Sequence, residues 1–124
     1  MIRFAAALAA LAAACCAPAE SRRPGIAQHT GCGLTVSFGS YAMGIDGAAY
    51  AEVRRLLTDG AVRSIEERRW GREGEVDLCV KTRSARDATR LFKAIRASLP
   101  ERPRGPVSLR SAAGLRFDAR PPRR

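Results

Sequence analysis

The segment VDLCVKTRSARDATRLFKAIRASLP (residues 76–100) decides the fold, because its hydrophobic period changes from two to 3.6 partway along. Val76, Leu78 and Val80 alternate with Asp77, Cys79 and Lys81, as the two faces of a strand require. Ser84-Ala85-Arg86-Asp87 then resembles a capping box with Asp in place of Glu or Gln. Behind it Ala88, Leu91, Phe92, Ile95 and Leu99 fall at i, i+3, i+4, i+7 and i+11, one apolar stripe of a helix that Pro100 stops.

Upstream, Gly71-Arg72-Glu73-Gly74 reads as a hairpin turn. The stretch before it, Ala61 to Trp70, scatters Val62, Ile65 and Trp70 among charged residues and fits neither period. That pattern predicts an exposed edge strand, bulged between Val62 and Ile65, since charge on an edge discourages pairing with another sheet. Further back, Asp46 is placed to cap a helix whose stripe is Ala49, Tyr50, Val53, Leu56 and Leu57, with Asp59-Gly60 ending it and the glycine at C′. Leu34, Val36 and Phe38 alternate with Thr35 and Ser37 in a first strand. Downstream, Val107 and Leu109 make a short last strand, which Leu115 and Phe117 either extend or follow as a second short strand across Ala112–Gly114.

The order strand, helix, strand, strand, helix, strand predicts an α+β domain, the ferredoxin-like βαββαβ arrangement. It implies a four-stranded antiparallel sheet of order 4-1-3-2 with two helices on one face. In that topology the start of the first strand lies beside the end of the third, which brings Cys32 to Cys79. Two cysteines so placed in an exported protein should oxidise to a disulfide. The helix-free face should carry Thr35, Ser37, Asp77 and Lys81, with Ser108 and Arg110 from the last strand.

Export is written in the first nineteen residues. Arg3 is followed by the apolar run Phe4–Ala14 and by Ala17-Pro18-Ala19, a small-x-small cleavage pattern. Ala12-Ala13-Ala14-Cys15 permits a second reading, a lipoprotein signal ending before Cys15, at which the mature chain would be lipidated. The expected organisation is a signal at 1–19, a flexible leader at 20–31, one domain at 32–119 and a disordered basic tail at 120–124. The location follows as periplasmic or membrane-anchored lipoprotein, with contact to membrane only through the N-terminal lipid.

The 124-residue chain carries 22 basic and 12 acidic residues, and its basic side chains are almost all arginine. In a cytosolic protein such a balance would suggest nucleic acid; after export the expected partners are an anionic envelope polymer or another envelope protein, and no nucleic acid. Codon drift in a GC-rich genome is the blander explanation and comes first: arginines simply spread over a solvated surface.

Sites of chemistry are not expected. His29, the one imidazole, sits in the leader, where a Ser-His or Cys-His arrangement has nothing to hold it. Glu66-Glu67 and Glu73-x-Glu75-x-Asp77 could serve acid–base or calcium chemistry, but Arg63, Arg68, Arg69 and Arg72 among them favour cross-strand ion pairs. The Gly39–Gly47 loop precedes a helix without the Lys and spacing of a phosphate loop. No catalytic residue, metal ligand or cofactor is therefore assigned.

A strand running into Phe38-Gly39-Ser40-Tyr41, then a helix, a hairpin and a second helix, resembles the SPOR domains of bacterial envelope proteins over about residues 34–99. The resemblance implies binding of cell-wall glycan on the open face of a ferredoxin-like sheet. The chain departs from that family at the third strand, where Val80-Lys81-Thr82-Arg83 replaces a Gly-rich phrase. Acylphosphatase shares the fold, but its phosphate loop and catalytic Asn are missing from this chain, which contains no Asn. The expected function is non-enzymatic binding through the open sheet face or the hairpin, with an enzyme or inhibitor built on the 39–47 loop as the alternative.

Overall fold

The computed structural model describes residues 31–120. The expected signal, Cys15, nearly all of the leader and residues 121–124 of the tail lie outside the described residues. Five strands and two helices follow in the order β1 (Leu34–Phe38), α1 (Gly47–Leu56), β2 (Val62–Arg69), β3 (Val76–Thr82), α2 (Ala85–Ser98), β4 (Val107–Ser111) and β5 (Arg116–Ala119). The strands form one antiparallel sheet in the order β2-β3-β1-β4-β5. The four expected strands stand in their expected order, but the four-stranded sheet is corrected to five. Phe117 belongs to a separate strand that returns along β4, with Leu115 closing the turn ahead of it, because Gly114 at φ 92° lets residues 111–115 close a tight turn.

Register explains the core. Leu34 pairs with Val80, Val36 with Leu78 and Phe38 with Val76, while on the other side Val36 meets Leu109 and Phe38 meets Val107. These side chains share one face and are buried with Val53 of α1, Leu57 at its C-cap, and Leu91, Phe92 and Ile95 of α2 in a single cluster. Both helices therefore cover the same face. The Phe38 and Tyr50 rings meet edge to face at 5.4 Å, and the Arg96 guanidinium lies 4.8 Å from the centre of the Phe117 ring at the β5 edge.

Helix ends show which local signals operate. The Ser84 hydroxyl oxygen accepts from the Asp87 amide at 3.1 Å, the expected cap of α2. Leu99, ahead of Pro100, is extended (ψ 139°), as the proline ring demands. The expected end of α1 is corrected: the helix stops at Leu56 with Leu57 as its C-cap, and Gly60 is not at C′. Asp59 works in the following turn, accepting from the Ala61 amide and from both Arg90 guanidinium nitrogens, so it ties the α1–β2 connection to α2.

The edge strand β2 is charged and exposed, and its bulge is present. Val62 pairs with Thr82 and Ser64 with Lys81, which leaves Arg63 as the extra residue between them.

Candidate functional site

The helix-free face is built by the second phase of each strand. Across it Glu66, Cys79, Thr35, Arg110 and Arg116 form one row, and Arg68, Asp77, Ser37, Ser108 and Asp118 form the next. Thr35, Ser37, Asp77 and Arg110 are thus brought together as expected. Lys81 stands apart, opposite Ser64 at the bulged end of the sheet.

Two covers shape this face. One is the disulfide between Cys32 and Cys79, whose Cα atoms are 5.3 Å apart; it buries Cys79. A structural disulfide belongs to an oxidising, exported environment. The other cover is Trp70, in phase with Arg68, whose indole Nε1 donates to Asp77 Oδ1 at 2.9 Å. Asp77 lies on the expected face but is only 2% exposed, so its carboxylate holds the indole rather than facing solvent. The sequence reading passed over Trp70 as a site residue. Its even spacing from Arg68 was the available signal, obscured by the bulge upstream.

Across β1 from Asp77 lies a polar cluster on β4 and β5. Asp118 Oδ1 accepts from the Ser108 hydroxyl at 2.7 Å and from the Arg110 guanidinium at 3.0 Å. Arg110 also donates to the carbonyls of Leu109 and Phe117, which locks its planar fork along the face. Partial burial would raise the Asp118 pKa, but the Ser108 and Arg110 hydrogen bonds outweigh it and hold the carboxyl below its ordinary 3.8. Thr35 and Ser37 are half-buried between this cluster and β3.

Apart from exposed Glu66, the hairpin carboxylates are occupied, though not by the expected cross-strand ion pairs. Glu67 takes the Tyr50 hydroxyl at 3.0 Å and pairs along its own strand with Arg69 at 3.3 Å. Glu75 accepts from the Glu73 amide inside the turn, and Glu73 accepts from the Ser40 hydroxyl. Glu67, Glu73, Glu75 and Asp77 each take a neutral donor rather than a cross-strand arginine.

The 39–47 loop is braced rather than open. Ser40 Oγ accepts from the amides of Ala42 and Gly44, which turns those N–H groups inward and away from any phosphate. Asp46 caps α1 through Ala49 N at 3.0 Å and reaches Arg104 N at 2.9 Å. Burial would raise its pKa, but these two amides outweigh it and keep the carboxyl below 3.8. Gly105 sits where a Cβ would run into the Gly39 carbonyl, so loops 39–46 and 101–106 touch through backbone. The shallow depression beside Asp46 is lined by the first turns of α1, Ser98, Pro100, Arg102 and Arg104; exposed Tyr41 takes no part in it.

No protein-family model, curated protein or solved structure matches this chain.

Proposed function

We propose that this protein is an exported, non-enzymatic binding module of the cell envelope that engages a cell-wall polymer through its helix-free sheet face. One observation carries the reading: among the described residues both helices cover the opposite face, leaving a polar strip of Thr35, Ser37, Ser108, Arg110 and Asp118 beside the half-buried Trp70. A polyol chain presents C–H patches and hydroxyls in alternation. An indole edge supplies apolar contact for the first, and hydroxyls with a fixed guanidinium supply hydrogen bonds for the second. The disulfide and the similarity to SPOR domains fit this location and ligand class. The protein acts in the periplasm, anchored by a lipid if Cys15 is the acylated residue.

The test is co-sedimentation of the oxidised protein, residues 20–124, with purified insoluble peptidoglycan. Wild type should pellet with the polymer, and Arg110→Ala and Thr35→Glu should each weaken that at least about fivefold while far-UV circular dichroism stays unchanged. A protein that remains in the supernatant, or variants that pellet like wild type, would refute the open-face reading.

A further inference from the structure

At the bulged end of the sheet a groove of about 640 Å³ lies between β2, β3, the start of α2, the segment before β1 and the β4–β5 turn. Its apolar lining is made of small residues, among them Gly33 and Ala88, and its polar lining includes Arg63, Lys81, Ser64 and Ser111. A Cβ at Gly33 would stand 2.8 Å from Thr82 Oγ1 and 3.4 Å from the Ala88 side chain, so glycine lets the segment before β1 pack closely against β3 and α2 beside the groove.

The bulge determines how the two cations are presented. Carried on from Ser64 opposite Lys81, an unbroken ladder would set Arg63 opposite Thr82, on the other face of the strand from Lys81. The bulge instead makes Arg63 an extra residue between Val62 and Ser64, and both Arg63 and Lys81 line the groove. A bulge re-aims side chains in this way beside working sites. Among the described residues, neither cation has a carboxylate within 4.0 Å. The acids of adjoining elements are committed or turned away: Asp59 and Asp87 are held by Arg90, and Glu66 sits one row further along the open face, opposite Cys79. Exposed Arg83 and Arg86 flank the same end and add positive charge. Two cations around one open, hydroxyl-bearing space carry an electrostatic cost that a bound anion would relieve.

We propose that this groove binds a phosphate-bearing group, with Arg63 and Lys81 as its charged ligands and the Ser64 and Ser111 hydroxyls as additional donors. The guanidinium supplies paired donors to two phosphate oxygens, and the ammonium supplies a point charge to the third. The site is at the opposite end of β3 from the Trp70–Asp77 contact and does not depend on the open-face reading.

The experiment is a ¹⁵N–¹H titration of the oxidised protein, residues 20–124, with inorganic phosphate against sodium chloride at matched ionic strength. A parallel arm measures co-sedimentation with vesicles of phosphatidylglycerol in phosphatidylcholine. Phosphate should shift amides at 31–33, 63–64, 81–82 and 111–113, saturably and not with chloride. Arg63→Gln and Lys81→Gln should each weaken binding about three- to tenfold, and the pair should abolish it. Arg69→Gln, at the other end of β2, should change nothing. Ala113→Glu, which adds a carboxylate at the rim, should also abolish binding while the spectrum stays dispersed. Groove shifts with phosphate but no vesicle binding would identify a soluble phosphate ligand. Vesicle binding that needs Lys81 would identify a lipid headgroup. Absence of both, identical shifts with chloride, or equal loss in Arg69→Gln would overturn the site.

Discussion

Asp46 shows how one buried carboxylate holds two segments of chain at once. Its oxygens receive the Ala49 amide at the start of α1 and the Arg104 amide 58 residues later. Asp46→Ala should cost about 1–2 kcal/mol, the loss of an N-cap with a second amide left without its partner, as measured by urea midpoint. Because the native pKa is depressed, the contribution of this group is fully present above the ordinary value of 3.8. It is lost as pH falls through the native pKa, since the unfolded state then takes up the proton first. Asp46→Asn should flatten the acid limb of a stability-versus-pH curve; a limb as steep as wild type would remove Asp46 from that role. Trp70 and Asp77 invite a parallel test. Trp70→Phe removes the donor from a carboxylate that is 2% exposed and should cost about 1–3 kcal/mol, read from denaturant unfolding. Such pairings are invisible in sequence because donor and acceptor are side chains whose rotamers depend on the assembled sheet.

Among the elements, α2 and β3 were legible and β2 only partly so. The stripe of α2 buries Ala88, Leu91, Phe92 and Ile95, and Phe92 retains 3% exposure. Phe92→Ala should cost about 3–5 kcal/mol, whereas exposed Arg69→Ala should stay within about 0.5 kcal/mol; paired urea titrations decide this. Equal midpoints would mean that α2 does not pack as described. The expected bulge in β2 is present, and its position at Arg63 came only with the register against β3. Strand β5 could be written as an extension or a return, since four residues with a Gly114 turn carry too little periodicity to choose. Pairing along β4, with Ala119 opposite Val107 and Phe117 opposite Leu109, makes that choice in the folded chain. The end of α1 was misread because Asp59-Gly60 has the composition of a helix stop, while the helix had already closed on Leu57.

For the whole molecule, the Cys32–Cys79 bond joins the chain just before β1 to β3 across a separation of 47 residues. Breaking it should cost about 2–5 kcal/mol, so urea unfolding with and without reductant should show separated midpoints, and Cys79→Ser should match the reduced wild type. Coincident midpoints would mean that the bond adds nothing to the fold. By itself the sequence determined the α+β class, the order of the first four strands, the apolar face of the sheet and the cysteine pair. Each of these follows from local periodicity or from chain order, which a one-dimensional pattern carries in full. The tertiary structure alone decided the fifth strand, the Trp70 cover over Asp77, the Ser108–Arg110–Asp118 cluster and the groove between Arg63 and Lys81. Those features depend on register across strands and on which donor reaches a carboxylate first, and such distances exist only once residues far apart in the chain have been packed together.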